Sequence, residues 1–359
     1  MRLVKHDLNI NFVGRRKTAI ILSGGLILLT VLILIVRGGP NYGVDFAGGI
    51  LTQVRFNRPT TPDQIREALT TIGMGDSSIQ EFGEGKNLEY LIRISGTKAE
   101  GSDVSKDVEN ALGTIIGKDN IEIRRVEMVG PKIGKDLREK ALLAIFYALL
   151  FMVIYISGRF EYKWTVSIIM AISLAIGVYF ISLIGMSIIW LIAAAVLIAI
   201  GLCWFLRLEY ALGAIIALFH DVVITLGAFA ITNREITLSI VAALLTIVGY
   251  SLNDTIVVFD RIRENQRRFK NHNFEDLINR SINETLSRTL ITSLTSLVVV
   301  VSLFILGGGV IHDFAFALMV GILVGTYSSV YVASPILLVW KGQWWGGDFL
   351  KIKEEVREE

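Results

Sequence analysis

Cysteine is almost absent from this chain. Cys203 is the sole one in 359 residues and lies inside an apolar run, so there is no internal disulfide and no cysteine-built metal site. Charge is scarce too: 19% of residues are charged, against about a quarter in soluble domains. The 35 basic and 33 acidic side chains nearly cancel, leaving +2, and no basic residues gather as a nucleic-acid footprint requires. What fills the chain instead is apolar: 53% of residues, with a mean hydropathy of +0.58. These proportions exclude a disordered chain, a disulfide-stapled mini-domain and an ordinary soluble enzyme. The apolar residues are clustered, as in an integral membrane protein.

A membrane-crossing helix needs about 20 mostly apolar residues. Eight segments qualify: Thr18–Val36, Ala141–Ser157, Trp164–Leu183, Ile188–Leu206, Ala211–Ile231, Leu238–Phe259, Leu290–Leu306 and Phe314–Trp340. The first does not read as a cleaved signal peptide, because its apolar run is long, no A-x-A-like site follows, and Gly38-Gly39-Pro40 opens a folded region. Basic residues in short loops set orientation. With the N-terminus cytoplasmic, nineteen basic residues fall on the inner side and Arg234 alone in the outer short loops. Lys135, Arg138 and Lys140 lean the other way, within a long outer segment that the rule largely exempts. Both termini are then cytoplasmic. Trp164, Trp204, Trp340, Trp344 and Trp345 would lie at the inner interface and Trp190 at the outer one. The expected organisation is a cytoplasmic start and first span over 1–37, an extracytoplasmic domain over 38–139, a membrane domain over 140–340 and a cytoplasmic tail over 341–359.

Residues 38–139 have the rhythm of a small α+β domain. Ile50–Phe56, Ser78–Phe82, Leu88–Ile94 and Ile121–Val129 read as strands, with residues 83–87 as a hairpin turn. Thr61–Ile72 starts with an N-cap Thr and a Pro at the first helical position, and Ser102–Ile116 carries Val104, Val108, Leu112 and Ile115 on one face. The order is βαββαβ, the ferredoxin-like arrangement, which by itself identifies no function. Gly43–Gly49 is glycine-rich but has neither the GxGxxG spacing nor the Lys-Ser/Thr of a phosphate loop. It reads as a tight turn from membrane to domain. With no metal cluster and no nucleophile–base pair, the domain reads as a binding or mechanical module.

Ionisable residues inside a span are costly and mark functional sites by default. In the sixth span Thr246, Gly249, Tyr250 and Asn253 recur at helical spacing as one polar stripe with Asp254 at its edge. Asp254 lies six residues before the basic loop, about 9 Å into the membrane by helix rise. A carboxyl there can be held protonated by desolvation or ionised by a nearby cation, as a proton relay needs; the competing role is a hydrogen bond that fixes helix packing. Arg288, at the start of the seventh span, can reach a similar depth as its counter-ion, or merely snorkel to the interface. His220 and Asp221 sit midway along the fifth span. Adjacent residues do not share a helix face, so one of them is expected to face a common interior. Asp221, with Thr225 at i+4, is the better placed, and His220 reads as a structural hydrogen-bond donor. Gly321 and Gly325 with Ser328 and Ser329 form a small-residue packing face, Asp260–Asn265 a short amphipathic surface helix, and Glu354–Glu359 a solvated end.

Residues 249–265, GYSLNDTIVVFDRIREN, resemble the signature of the SecF branch of the SecD/SecF protein-export family. The resemblance extends in chain order through Val44–Gly49, Ala211–Ile216 with His220-Asp221, Leu286–Thr289 with Thr292–Thr295, and Gly325–Ser329. It implies a member of the resistance–nodulation–division superfamily in the bacterial inner membrane. Such a protein pairs with SecD beside the SecYEG channel, with YajC as a further partner, and uses the proton-motive force to help unfolded polypeptide across. Protons are its coupling ion, no cofactor is implied, and it is no enzyme. The family's intramembrane Asp and Arg, held to form the proton pathway, match Asp254 and Arg288; the residues themselves add Asn253 beside them and leave open whether Asp221 and His220 share the path.

One departure is clear. The family expects six spans, with an Arg-Phe-Glu turn leading directly into the ALGAIIAL helix. Here Arg159-Phe160-Glu161-Tyr162 is followed 48 residues later by Arg207-Leu208-Glu209-Tyr210. The two extra spans, over about 164–206, read as an insertion or partial duplication, peripheral and lipid-facing or a partner contact. The expected fold is thus a polytopic α-helical membrane protein of about eight spans, six of the family plus two inserted, with one extracytoplasmic α+β domain. Two other functions compete: half of a small-molecule efflux transporter of the same superfamily, and a non-transporting scaffold for which Asp254 is dispensable.

Overall fold

A computed structural model describes residues 9–82, 89–95, 104–182, 188–269 and 272–339. Among the described residues six helices are long and apolar enough to cross a membrane: Val13–Val36, Pro131–Glu161, Glu209–Thr232, Leu238–Arg268, Phe274–Leu306 and Ile311–Ile336. In chain order the elements are α1 (Arg16–Val36), a single turn α2 (Val44–Ala47), β1 (Gly49–Phe56), α3 (Pro62–Thr70), β2 (Ser78–Phe82), β3 (Glu89–Ser95), α4 (Val104–Ile116), β4 (Ile121–Val129) and α5 (Pro131–Ile156). Then come α6 (Trp164–Ser182), α7 (Ile188–Phe205), α8 (Glu209–Thr232), α9 (Leu238–Arg268), α10 (Phe274–Leu306) and α11 (Gly308–Ser328).

The small domain forms as its sequence pattern requires. Four antiparallel strands lie in the order β2-β3-β1-β4. Alternate residues of β1 (Ile50, Val54 and Phe56) are buried in one core with Ile65 and Leu69 of α3 and Val108 and Leu112 of α4. Thr61 and Gln64 make a reciprocal capping box at the start of α3, satisfying two of the donors a helix start leaves unpaired. The turn expected at 83–87 lies outside the described residues.

Several helices run past their expected ends. α5 begins at Pro131 rather than Ala141, and α10 at Phe274 rather than Leu290. Arg288 therefore lies well inside a helix instead of opening one. The separate amphipathic helix expected at 260–265 is the continuation of α9. Polar bonds hold the α9–α10 hairpin together beyond its apolar stretch: Asn265 Nδ2 donates to Ser281 Oγ (3.0 Å) and Glu284 Oε2 (2.8 Å), and Arg261 pairs with Glu284 at 2.8 Å. Trp164 and Trp204 are exposed. Trp340, Trp344, Trp345, the side chain of Trp190 and the tail 341–359 lie outside the described residues.

The helices α6 and α7 form over the two extra apolar segments. Their described apolar stretches, Trp164–Gly177 and Ala193–Phe205, are shorter than the six long helices. Met170, Leu174, Ala195, Ala199 and Cys203 pack into the main core, while Ile169, Ile172, Leu197 and Phe205 remain exposed. The pair is peripheral, and its root is stitched shut. Glu161 Oε1 accepts from the Tyr210 backbone N–H at 2.9 Å, and Lys163 Nζ donates to the carbonyls of Leu206 (3.0 Å) and Arg207 (3.4 Å). The Phe160 and Tyr210 rings stack at 5.2 Å. The first R-x-E-Y copy thus caps the helix that begins at the second.

A clasp ties the small domain to the loop between α8 and α9. Gly43 N–H donates to Ile236 O (2.9 Å), and Ile236 N–H to Asn41 O (2.7 Å). The glycine-rich segment makes one helical turn, α2, closed by Gly48 at φ +76, where an added Cβ would sit 2.8 Å from Pro131 Cα. Only glycine suits both that conformation and that approach. Asp45, on this turn, accepts from the Leu238 N–H at 2.8 Å and so caps α9 from another segment. Arg93 of β3 pairs with Glu235 at 2.5 Å, both mostly buried, and Arg234 pairs with Asp313 while its guanidinium lies 4.5 Å from the Phe316 ring centroid.

Glu235 Oε2 is buried without a hydrogen-bond partner. Burial raises the Glu235 pKa above its ordinary 4.5, with Arg93 opposing and Asp313 and Asp45 adding to the rise. Burial thus disfavours the ionised carboxyl in the closed clasp relative to an opened, solvated Glu235. By linkage, closure is favoured below 4.5 and that contribution is lost as pH rises through the raised value. Amide exchange over 233–238, corrected for intrinsic rate, should slow as pH falls toward 4.5. In Glu235→Gln, neutral at every pH, that dependence should vanish.

Candidate functional site

Two acids are buried in the membrane domain, one on each of the antiparallel neighbours α8 and α9. Asp254 is 2% exposed. Its Oδ2 accepts from Ser293 Oγ of α10 at 3.3 Å, and Ser293 Oγ lies 2.7 Å from Thr326 Oγ1 of α11. Three helices thus meet at this carboxyl, with hydroxyls as its hydrogen-bonding neighbours.

Asp221 is 1% exposed and more fully bonded. Its Oδ2 accepts from Ser251 Oγ (2.5 Å) and Ser328 Oγ (2.9 Å), and its Oδ1 lies 2.9 Å from His220 Nδ1. His220 Nε2 is 3.0 Å from Ser23 Oγ on α1. Thr225 does not assist the carboxylate; it donates to the Asp221 backbone carbonyl. The expectation that only one of His220 and Asp221 turns inward is not met. Packing against α1, α5, α7, α9 and α11 surrounds α8, so neighbouring residues both meet protein, and here they meet each other.

Ser251 and Asp254 are three residues apart on α9 and so neighbours on its surface. The two acids thus belong to one polar interior, built from α1, α8, α9, α10 and α11. The small residues expected to serve packing make it possible: a Cβ on Gly325 would lie 2.9 Å from Ser251 Cβ, and one on Gly321 would lie 2.4 Å from Ile247. Ser328 goes beyond packing, because its hydroxyl is a ligand of Asp221. A π-helical turn, Ser329–Ala333, follows directly.

Arg288 and Asn253 are placed differently. Arg288 is exposed on α10 and close enough to act on Asp254 electrostatically, yet no ion pair joins them among the described residues. Asn253 points away from Asp254 and is exposed, as are Thr246 and Gly249 of the stripe. Tyr250 turns toward α10 and donates to Thr292 O at 3.1 Å. An open polar face therefore runs along α9 beside Arg288. Among the described residues no group of three His, Cys, Asp or Glu could hold a metal ion.

Sequence reasoning missed Ser23, Ser251, Ser293, Thr326, Tyr327 and Ser328 as site members, and Asp45 as the cap of α9. A lone hydroxyl in an apolar run was the available signal; which acid it serves is a matter of helix packing. Gly325→Ala should force α11 away from Ser251 and cost about 1–3 kcal/mol. A lowered unfolding midpoint of the purified protein would register it.

Comparison with known proteins agrees with this architecture. The model of the family "Protein export membrane protein SecD/SecF, C-terminal" matches residues 108–201 and 181–343, and that of the "SecD/SecF GG Motif" matches residues 33–60. The protein translocase subunit SecF of Calditerrivibrio nitroreducens is 40% identical over 344 residues, covering 95% of this chain and 97% of the relative. That of Magnetococcus marinus is 42% identical over 332 residues, covering 92% and 91%. The crystal structure of SecDF from Thermus thermophilus matches with a TM-score of 0.71 and 32% identity over 95% of this chain. This chain spans 40% of that longer one. A SecDF structure in a super-membrane-facing form matches with a TM-score of 0.60 and 30% identity, covering all of this chain and 41% of that one. These relatives are translocase subunits, not enzymes, and the chain, a multi-pass membrane protein, belongs with them to the SecD/SecF protein-export family, in its SecF branch.

Proposed function

We propose that this chain pairs with SecD beside the SecYEG channel, with YajC as an accessory, in the bacterial inner membrane, and that it couples the proton-motive force to the later stages of polypeptide export. The observation that carries this reading is Asp254: a carboxyl buried in the membrane, with a hydroxyl partner and a nearby guanidinium but no closed ion pair. Such a group can exchange a proton without breaking a salt bridge. Arg288 and Asn253 line the open side of the pathway, and Asp221 and His220 continue it inward.

The open polar face of α9 and α10 supports SecD as the partner, since those side chains would otherwise meet lipid at a cost. Both termini are cytoplasmic in this reading, and domain 38–139 is extracytoplasmic. Its strand order β2-β3-β1-β4 supports a ferredoxin-like fold. The inserted pair α6–α7 adds two spans to the family's six, lipid-facing on its exposed side. The likeness to SecF translocase subunits over more than nine-tenths of the chain favours export over the competing small-molecule efflux pump of the same superfamily.

Export driven by a proton gradient, in vesicles containing the chain with SecD and the translocon, tests the reading. Asp254→Asn keeps the side chain's size and removes its titratable proton. The gradient-dependent part of export should disappear while the complex still assembles. Unchanged export would make the carboxyl structural and the protein a scaffold.

A further inference from the structure

We propose that Ser23 and Tyr327 complete, with His220 and Asp221, a hydrogen-bonded relay that carries protons from the mid-membrane Asp221 to the end of the domain where α1 begins. The proposal rests on the proton-coupled reading above and assigns its inward arm.

The chain of contacts is continuous. Asp221 Oδ1 lies 2.9 Å from His220 Nδ1, and His220 Nε2 3.0 Å from Ser23 Oγ. Ser23 Oγ lies 3.2 Å from the Tyr327 hydroxyl, which donates to Ala19 O at 2.9 Å. Asp221, His220 and Ser23 are each less than a tenth exposed. The Tyr327 ring stacks on His220 at 6.0 Å, so the hydroxyl and the imidazole are held as one unit.

Its direction follows from helix positions. Asp221 is midway along α8, whereas Ser23 is seven residues into α1 and Ala19 only three. Tyr327 lies next to the last residue of α11, which runs the opposite way. Beyond it, Tyr327 packs on Tyr331 at 5.1 Å, and Tyr331 on Phe12, ahead of α1, at 5.8 Å. The relay therefore leads from the middle of the membrane toward the basic end of the domain, which the loop charges mark as cytoplasmic.

Each internal member both donates and accepts, as proton passage requires. A proton held by Asp221 passes to His220 Nδ1, and the Nε2 proton leaves to Ser23 Oγ. Ser23 gives its own proton to the Tyr327 oxygen, and the half-buried Tyr327 turns its O–H away from Ala19 O to release its own proton at its exposed edge. One proton enters and one leaves; rotation of the hydroxyls and return of the imidazole to its first tautomer reset the chain. The polar groups facing the dyad are Ser23 from α1, Ser251 from α9 with Asp254 three residues on, and Ser328 and Tyr327 from α11. From α5 and α7 the same core receives apolar side chains and Cys203.

Proton influx into vesicles carrying the chain with SecD and the translocon, read by a trapped pH dye, tests the relay. Tyr327→Phe removes the hydroxyl and keeps the ring; Ser23→Ala removes the other hydroxyl and Ser23→Thr keeps it. Influx should fall at least about tenfold in Tyr327→Phe and Ser23→Ala, as expected when a positioned proton-transfer group is lost. Ser23→Thr should restore it, with assembly unchanged in all three. Wild-type influx in Tyr327→Phe and Ser23→Ala, alongside loss in Asp254→Asn, would overturn the relay and leave the proton-coupled reading standing. Equal impairment of Ser23→Thr and Ser23→Ala would also overturn it, because packing rather than the hydroxyl would then matter. Wild-type influx in Asp254→Asn would instead remove the reading on which the relay rests.

Discussion

The structure depends on keeping two carboxyls, Asp221 and Asp254, out of water inside a membrane domain. Hydrocarbon provides no hydrogen-bond partners, so each buried polar group must find one in the protein or cost several kcal/mol. The helices supply hydroxyls: Ser251 and Ser328 at Asp221, Ser293 at Asp254. That requirement dictates the packing. Ser251 reaches Asp221 because α9 lies tight against α11 at Gly321 and Gly325, where a larger side chain would hold the helices apart. Hydroxyls also differ from arginines or lysines in what they permit. They satisfy a carboxyl in either protonation state, so its charge can change without dismantling the packing around it.

The acids are not isolated from the small domain. α8 carries Asp221, α9 carries Asp254, and the loop that joins them is bonded by its backbone to residues 41–43 and by Glu235 to Arg93 of the sheet. Asp45 caps α9 directly. The loop thus joins both acid-bearing helices to the small domain through short contacts. At the opposite end, the α9–α10 hairpin is held by Asn265 and Glu284.

Much of this was legible in the sequence, for identifiable reasons. Apolar runs announce helices whatever their neighbours; β1 followed from composition, β4 from alternation, and α3 from an N-cap Thr followed by Pro. Asp254 and Asp221 stood out because charge in an apolar run is rare. Helix ends were less legible: α10 extends back to Phe274 because Asn265 and Glu284 bridge two polar helices, a tertiary fact with no local signature. The pairing of His220 with Asp221 contradicted a face argument that holds for surface helices and fails for one surrounded by others. The glycine-rich turn was recognised as a turn, but its cap on α9, almost two hundred residues away, required the fold.

The account stands on Asp254 as a carboxyl that changes protonation within an intact helix packing. Infrared difference spectra of the reconstituted complex, recorded across a pH titration, test this most directly. A carboxyl C=O band should appear as pH falls, shift in heavy water, and be absent from Asp254→Asn while the amide bands are unchanged. The same carboxyl band in wild type and in Asp254→Asn would contradict the account.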